Sequence, residues 1–227
     1  MLRTKHELFA GNADPVPKKA LMPNAILDGE PGRVTFRVKR KSRVFRITCL
    51  LLLCFVRGET LMAIRKITEY PEKVLGEVGK PVTEFDKDLE DLCADMFETM
   101  YDAEGVGLAA PQIGLNLRLF VMDCHDIKLI AANPEIVSTE GEQSGQEGCL
   151  SVGKVPAVVI RPQKARLRAQ NEKGEWFEQD AEGYAARAFM HETDHCNGTL
   201  FIDHLPKMRR DMLVRKFKKE KSQNRER

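Results

Sequence analysis

Between residues 86 and 103, apolar side chains recur at steps of three and four: Leu89, Leu92, Cys93, Met96 and Met100. That period puts them on one face of an α-helix, with Asp86 as its cap and Gly105 as its end. Ala63–Ile67 reads as a short strand before it. Shorter apolar runs of strand character follow at 117–122, 129–138, 155–160 and 165–170. Asn171-Glu172-Lys173-Gly174 reads as a hairpin turn, with Trp176-Phe177 on the returning strand. A second helix is predicted from Asp180 or Ala181. Tyr184, Ala185 and Ala188 would lie on its buried face, and Asn197-Gly198 would stop it. A basic amphipathic helix is predicted from Lys207, with Met208, Met212, Val214 and Phe217 as its apolar positions.

Residues 1–61 lack this patterning and mix Pro/Gly turns with the basic run Arg37–Arg43. The chain therefore divides into an N-terminal extension (1–61), a body (62–206) and a tail (207–227). Charge divides the same way: the extension has twelve Lys/Arg against five Asp/Glu (+7), the tail ten against three (+7), and the body fourteen against twenty-six (−12). Basic ends suit nucleic acid or an anionic surface, and equally a solvated tail. The apolar run Ile47–Val56 is about half a bilayer span and starts too late for a usual secretory signal. Five acidic residues and embedded turns argue against a transit peptide. Met62 is read as the natural start, with 1–61 as an upstream translated extension. The six cysteines have no paired spacing, which points to a reducing compartment.

The chemistry-bearing stretch is His191-Glu192-Thr193-Asp194-His195. Positions i and i+4 share a helix face, so both imidazoles could serve one metal, with Glu192 reaching a metal-bound water. Alone, this pattern is equally a solvated helix with two unrelated histidines. Upstream, Glu147-Gly148-Cys149-Leu150-Ser151 places a cysteine in a loop with small neighbours. A thiolate and two imidazoles would make a three-ligand site. The glycines of Gly105-Val106-Gly107-Leu108-Ala109-Ala110-Pro111-Gln112 permit close backbone approach. This stretch lacks the Lys-Ser/Thr ending of a phosphate loop.

Together, in this order, the three stretches resemble those of peptide deformylases: Gly-x-Gly-x-Ala-Ala-x-Gln, Glu-Gly-Cys-apolar-Ser, and a His-Glu stretch closing on Asp-His, here with only Thr193 between. The resemblance runs from about Met62 to Leu205. It implies an α+β fold, with antiparallel strands packed around a central helix carrying the HExxH metal motif. It implies removal of the formyl group from N-terminal formylmethionine of newly made polypeptides, with formate released. Cys149, His191 and His195 would hold one divalent metal, ferrous iron in the cell, with zinc or nickel as substitutes. A metal-bound hydroxide would attack, Glu192 would be the general acid/base, and Gln112 with the Leu150 N–H would form the oxyanion site. Val106, Gly107 and Glu147 would contact the N-formylmethionyl peptide, and Val106, Tyr184 and Ala188 would line its methionine pocket. A cytoplasmic enzyme follows, with organelle import through 1–61 as the alternative, no membrane association, and ribosome docking through the basic tail.

Two positions depart from the family pattern. Thr193 stands where an apolar residue is usual, and Val152-Gly153-Lys154 stands where apolar-Pro-Gly is usual; Lys154 is read as a solvated loop residue. Asp194 should turn away from the metal and meet Arg161. His125 and His204 read as ordinary surface or turn histidines, and Cys196 as packing. A zinc protease would need a third ligand downstream of His195, and Asp203 and His204 have the wrong spacing for one. A non-catalytic binding protein would lack Glu192 or Gln112.

Overall fold

The computed structural model describes residues 63–153 and 155–225. The extension 1–61, the start at Met62 and the loop residue Lys154 lie outside the described residues. Among the described residues, three α-helices and seven strands follow one another: α1 (Lys87–Asp102), β1 (Gly107–Ala109), β2 (Leu119–Cys124), β3 (Ile127–Glu140), β4 (Gln143–Glu147), β5 (Ala157–Arg161), β6 (Lys164–Gln170), β7 (Trp176–Glu182), α2 (Gly183–Cys196) and α3 (Lys207–Arg225). All strand pairs are antiparallel, in a five-stranded sheet of order β1-β2-β3-β6-β7 and a separate β4-β5 hairpin. The fold is thus mixed helix and antiparallel sheet.

Strand β2 shows how the core forms. Successive strand side chains point to opposite faces. Phe120 and Met122 therefore join one cluster with Leu167, Ala169, Ala185 and Phe189, on the α2 side. Leu119 and Val121 join another with Leu89, Cys93, Met96 and Met100, on the α1 side. Both faces are covered, which is why the run is apolar at nearly every position. Asp86 caps α1 by accepting a hydrogen bond from the Leu89 N–H at 3.1 Å.

Several expected boundaries move. Residues 63–67 form no strand. The Ala63 N–H donates to Asp95 Oδ1 (2.6 Å) and the Arg65 N–H to Thr99 Oγ1 (2.8 Å), so side chains of α1 take the bonds a neighbouring strand would have taken. At the end of α1 it is Glu104, not Gly105, that adopts positive φ (57°). The second helix begins at Gly183 because Asp180, Ala181 and Glu182 still pair with β6. Gly183, at φ 61°, makes the turn into α2. Tyr184 is half exposed rather than buried. On α3, Met208 and Met212 are 75% and 65% exposed, while Leu213 and Phe217 face a third cluster with Cys149, Val152 and Phe201. Strand β4 (Gln-Ser-Gly-Gln-Glu) has no apolar residue to signal it. Among the described residues, no helix is long and apolar enough to cross a membrane.

Candidate metal centre

Helix α2 packs against strands β1, β2, β3, β6 and β7. Its side chains at 191 and 195 lie one turn apart, with ring centroids 5.0 Å from each other. Cys149 follows β4 in the loop before a 3-10 turn at Leu150–Val152. Its Sγ lies 3.2 Å from His195 Nε2. One ligand atom from each of Cys149, His191 and His195 lies within 4.8 Å of the others, and all three residues are buried.

This donor set suits a transition metal. Zinc–sulfur and zinc–nitrogen bonds of about 2.3 and 2.0 Å at a tetrahedral angle imply donors about 3.5 Å apart. His191 Nδ1 meets Glu147 Oε1 at 2.7 Å, which leaves Nε2 as its coordinating atom. His195 Nδ1 is buried without a partner. Burial, and then the neighbouring His191, push the His195 imidazole well below its ordinary value, so it is neutral. Burial opposes protonation of His191 too, but Cys149 and Glu147 hold that imidazole well above its ordinary value.

Glu147 is the hub of a buried ion network. Oε1 also accepts from Arg161 Nη2 (2.7 Å), and Oε2 accepts from Arg161 Nε (3.2 Å) and Arg187 Nη1 (2.9 Å). Burial would raise its carboxyl, but hydrogen bonds from His191 and Arg161 hold it well below the ordinary carboxylate range. Oε1 thus meets His191, while the arginines hold both oxygens of the carboxylate in place. Arg161 also donates to Asp194 Oδ2 at 2.6 Å, the pairing expected from sequence. His204 is exposed in the 3-10 turn Phe201–His204, as expected, and in addition its Nε2 lies 2.7 Å from the same Asp194 oxygen. No metal-ligand spacing marks His204 or Arg187, so sequence reading misses their place in this network. His125 does sit in a turn, at φ 54°, edge-on to Tyr184.

Glu192 is buried, and its Oε2 has no partner. Burial pushes its carboxyl up to about 7, the range a proton shuttle needs at neutral pH. Gly107 makes room for it: a Cβ there would overlap Glu192 Oε1. Gln112 is fixed at the other side. Its Oε1 accepts from the Ala109 N–H at 2.8 Å, so its Nε2 faces Cys149 Sγ at 3.5 Å. The Leu150 side chain lies over Gly105, where a Cβ would come within 3.1 Å of it. Ala188 is buried on the same helix, while Val106 is partly buried against the core. Cys93 and Cys196 are packing groups whose thiols burial pushes up to about 12. A cavity of about 550 Å³ lies beside Met190, Thr193, Asp194 and Asn197 and includes none of the three candidate ligands.

Residues 64–211 match the family model described as polypeptide deformylase. A peptide deformylase of Acidobacterium capsulatum is 48% identical over 163 residues, which cover 70% of this chain and 96% of that protein. One from Clostridium botulinum is 51% identical over 146 residues, 64% of this chain and 99% of that protein. The crystal structure of a peptide deformylase from Legionella pneumophila, 46% identical, superposes with a TM-score of 0.70 over 73% of this chain and 99% of that one. The chain belongs to the polypeptide deformylase family, a family of metal-dependent enzymes that remove the N-terminal formyl group from nascent peptides.

Proposed function

We propose that this site hydrolyses the formyl amide of N-terminal formylmethionine, releasing formate and a free amino terminus, with α2 as the central metal-bearing helix. The observation that carries this reading is the buried Glu192 carboxyl, unpartnered at Oε2 and lifted to about 7 beside the Cys149–His191–His195 cluster. One divalent ion held by those three residues would bring the pKa of a water toward ~7 and so supply a nucleophile at neutral pH. Mixed thiolate and imidazole donors suit ferrous iron, with zinc or nickel as substitutes.

The remaining work falls to this chain's own groups. Glu192 takes the proton from the attacking water and delivers it to the departing nitrogen. As the nucleophile adds to the formyl carbon, Gln112 Nε2 and the Leu150 N–H donate to the formyl oxygen, where negative charge gathers until the C–N bond breaks. Glu147 holds His191 in a single tautomer and orientation. The peptide lies extended along β4, near Val106, Gly107 and Glu147, and main-chain bonding there tolerates varied sequences. Val106, Tyr184 and Ala188 line the methionine pocket. The basic face of α3 offers a docking surface for ribosomes, where nascent chains emerge. A chain ending at Pro206 should then bind them more weakly at equal salt. Bacterial relatives support a cytoplasmic setting.

Formate release from a formyl-Met peptide tests the reading. Protein loaded anaerobically with ferrous iron should turn over. Chelator-stripped protein should not, and restored iron should recover the activity. An acetyl-Met peptide should be a poor substrate. A loaded protein that released no formate would overturn the proposal.

A further inference from the structure

Arg187 lies one turn before His191 on α2, and its side chain is almost wholly buried, at 4% exposure. A buried guanidinium needs partners for its donors. Here they come from one carboxylate and from two strands. Nη1 donates to Glu147 Oε2 (2.9 Å) and to the Val159 carbonyl on β5 (3.0 Å). Nη2 makes a longer contact, 3.5 Å, with the Gln143 carbonyl on β4. Gly145 leaves the space: a Cβ there would stand 3.2 Å from Nη2.

Positions 187 and 191 share a helix face. They grip opposite oxygens of one carboxylate, Arg187 on Oε2 and His191 on Oε1. Two residues beyond Glu147 the chain reaches Cys149, and Arg187 also binds the partner strand of that hairpin. The two sources of donor atoms, α2 and the segment after β4, are therefore tied by the same side chain.

We propose that Arg187 is a positioning residue of the metal centre, setting the gap between the imidazoles of α2 and the Cys149 thiolate by clamping α2 to the β4–β5 hairpin. This rests on the reading of Cys149, His191 and His195 as metal ligands. Arg187 touches no reacting atom. Its loss does not strand Glu147, because Arg161 and His191 still bind both carboxylate oxygens. What is lost is the fixed distance.

The test is zinc affinity by chelator competition, with the visible absorption of cobalt(II)-loaded protein as a second readout and unfolding of the metal-free proteins alongside. Arg187→Met should bind zinc about 10–100-fold more weakly and shift the cobalt bands. Arg187→Lys, which keeps the charge but reaches fewer acceptors, should lose less. Folded Arg187→Met with wild-type zinc affinity and cobalt spectrum would overturn the proposal, even if its unfolding midpoint fell. Should Arg187→Met fail to fold, Arg187→Lys decides: weakened zinc binding supports the clamp, and unchanged binding overturns it. A wild-type chain that bound no zinc would overturn the metal-site reading, and the role of Arg187 with it.

Discussion

Helices α2 and α3 are both rich in polar side chains, yet they are held in opposite ways. Eleven of the fourteen residues of α2 are buried, including Arg187, His191, Glu192, Thr193 and His195. On α3, among side chains described, only Leu213 and Phe217 are buried. A polar helix normally stays at the surface, because an unpaired buried polar group costs about 1–3 kcal/mol. Helix α2 tolerates burial because its charges find partners: Arg187 and His191 on Glu147, Asp194 on Arg161 and His204. Glu192 Oε2, Thr193 Oγ1 and His195 Nδ1 remain unpartnered. Two of these three atoms belong to the proposed shuttle and a proposed ligand. Burial that costs stability is concentrated where chemistry is proposed, while α3 anchors by two apolar residues and leaves its charges in water.

The largest expected effect breaks the α2 side outright. His195→Ala should lose its metal on gel filtration and release formate only at background rate. Retained metal with normal turnover would remove His195 from the ligand set. Gly107→Ala is a subtler attack on the same site. Its new methyl must displace the Glu192 carboxylate, so kcat should fall about 10²-fold with metal content unchanged.

On the α3 side, Leu213→Ala should cost about 2 kcal/mol in urea unfolding, at the low end for a buried leucine because α3 packs along a single face. Met212→Lys, one position away but exposed, should stay within about 0.5 kcal/mol. Equal effects would erase the contrast between the two faces of α3. The smallest effect concerns Asp95. Burial opposes its ionisation, but the Ala63 N–H and Arg65 hold its carboxyl below the ordinary 3.8. Its folded value lies below its unfolded one, so its stabilisation is complete above 3.8 and is lost as pH falls through the lower folded value. Hydrogen exchange at Ala63 and Arg65 should accelerate over that interval relative to the α1 core.

The legible parts of this molecule were those where one local signal sufficed. The three-and-four spacing of Leu89, Cys93, Met96 and Met100 marked α1, and Asn171–Gly174 marked its hairpin. That Asp194 turns away from the histidine face follows from its place in the motif, while Arg161 is expected as its partner from the family resemblance, and the structure joins the two. What was hidden depended on tertiary contacts. Strand β4 is polar throughout and exists through its pairing with β5. Residues 63–67 look like a strand, but α1 side chains satisfy their backbone. Asp180 looks like a helix start, yet its pairing with Arg166 keeps it in β7. Met208 and Met212 continue an apolar stripe that packing on Phe201 and Val152 rotates out to solvent. Arg187 and His204 carry no motif, because their importance lies in which carboxylates they reach.

Whether α2 supplies the proton shuttle as well as two of the three proposed ligands is decided by Glu192→Ala measured beside wild type for metal content and single-turnover formate release. The variant should keep the same metal content and release formate about 10²–10⁴-fold more slowly. Wild-type release by metal-loaded Glu192→Ala would contradict that role and place the proton transfer elsewhere.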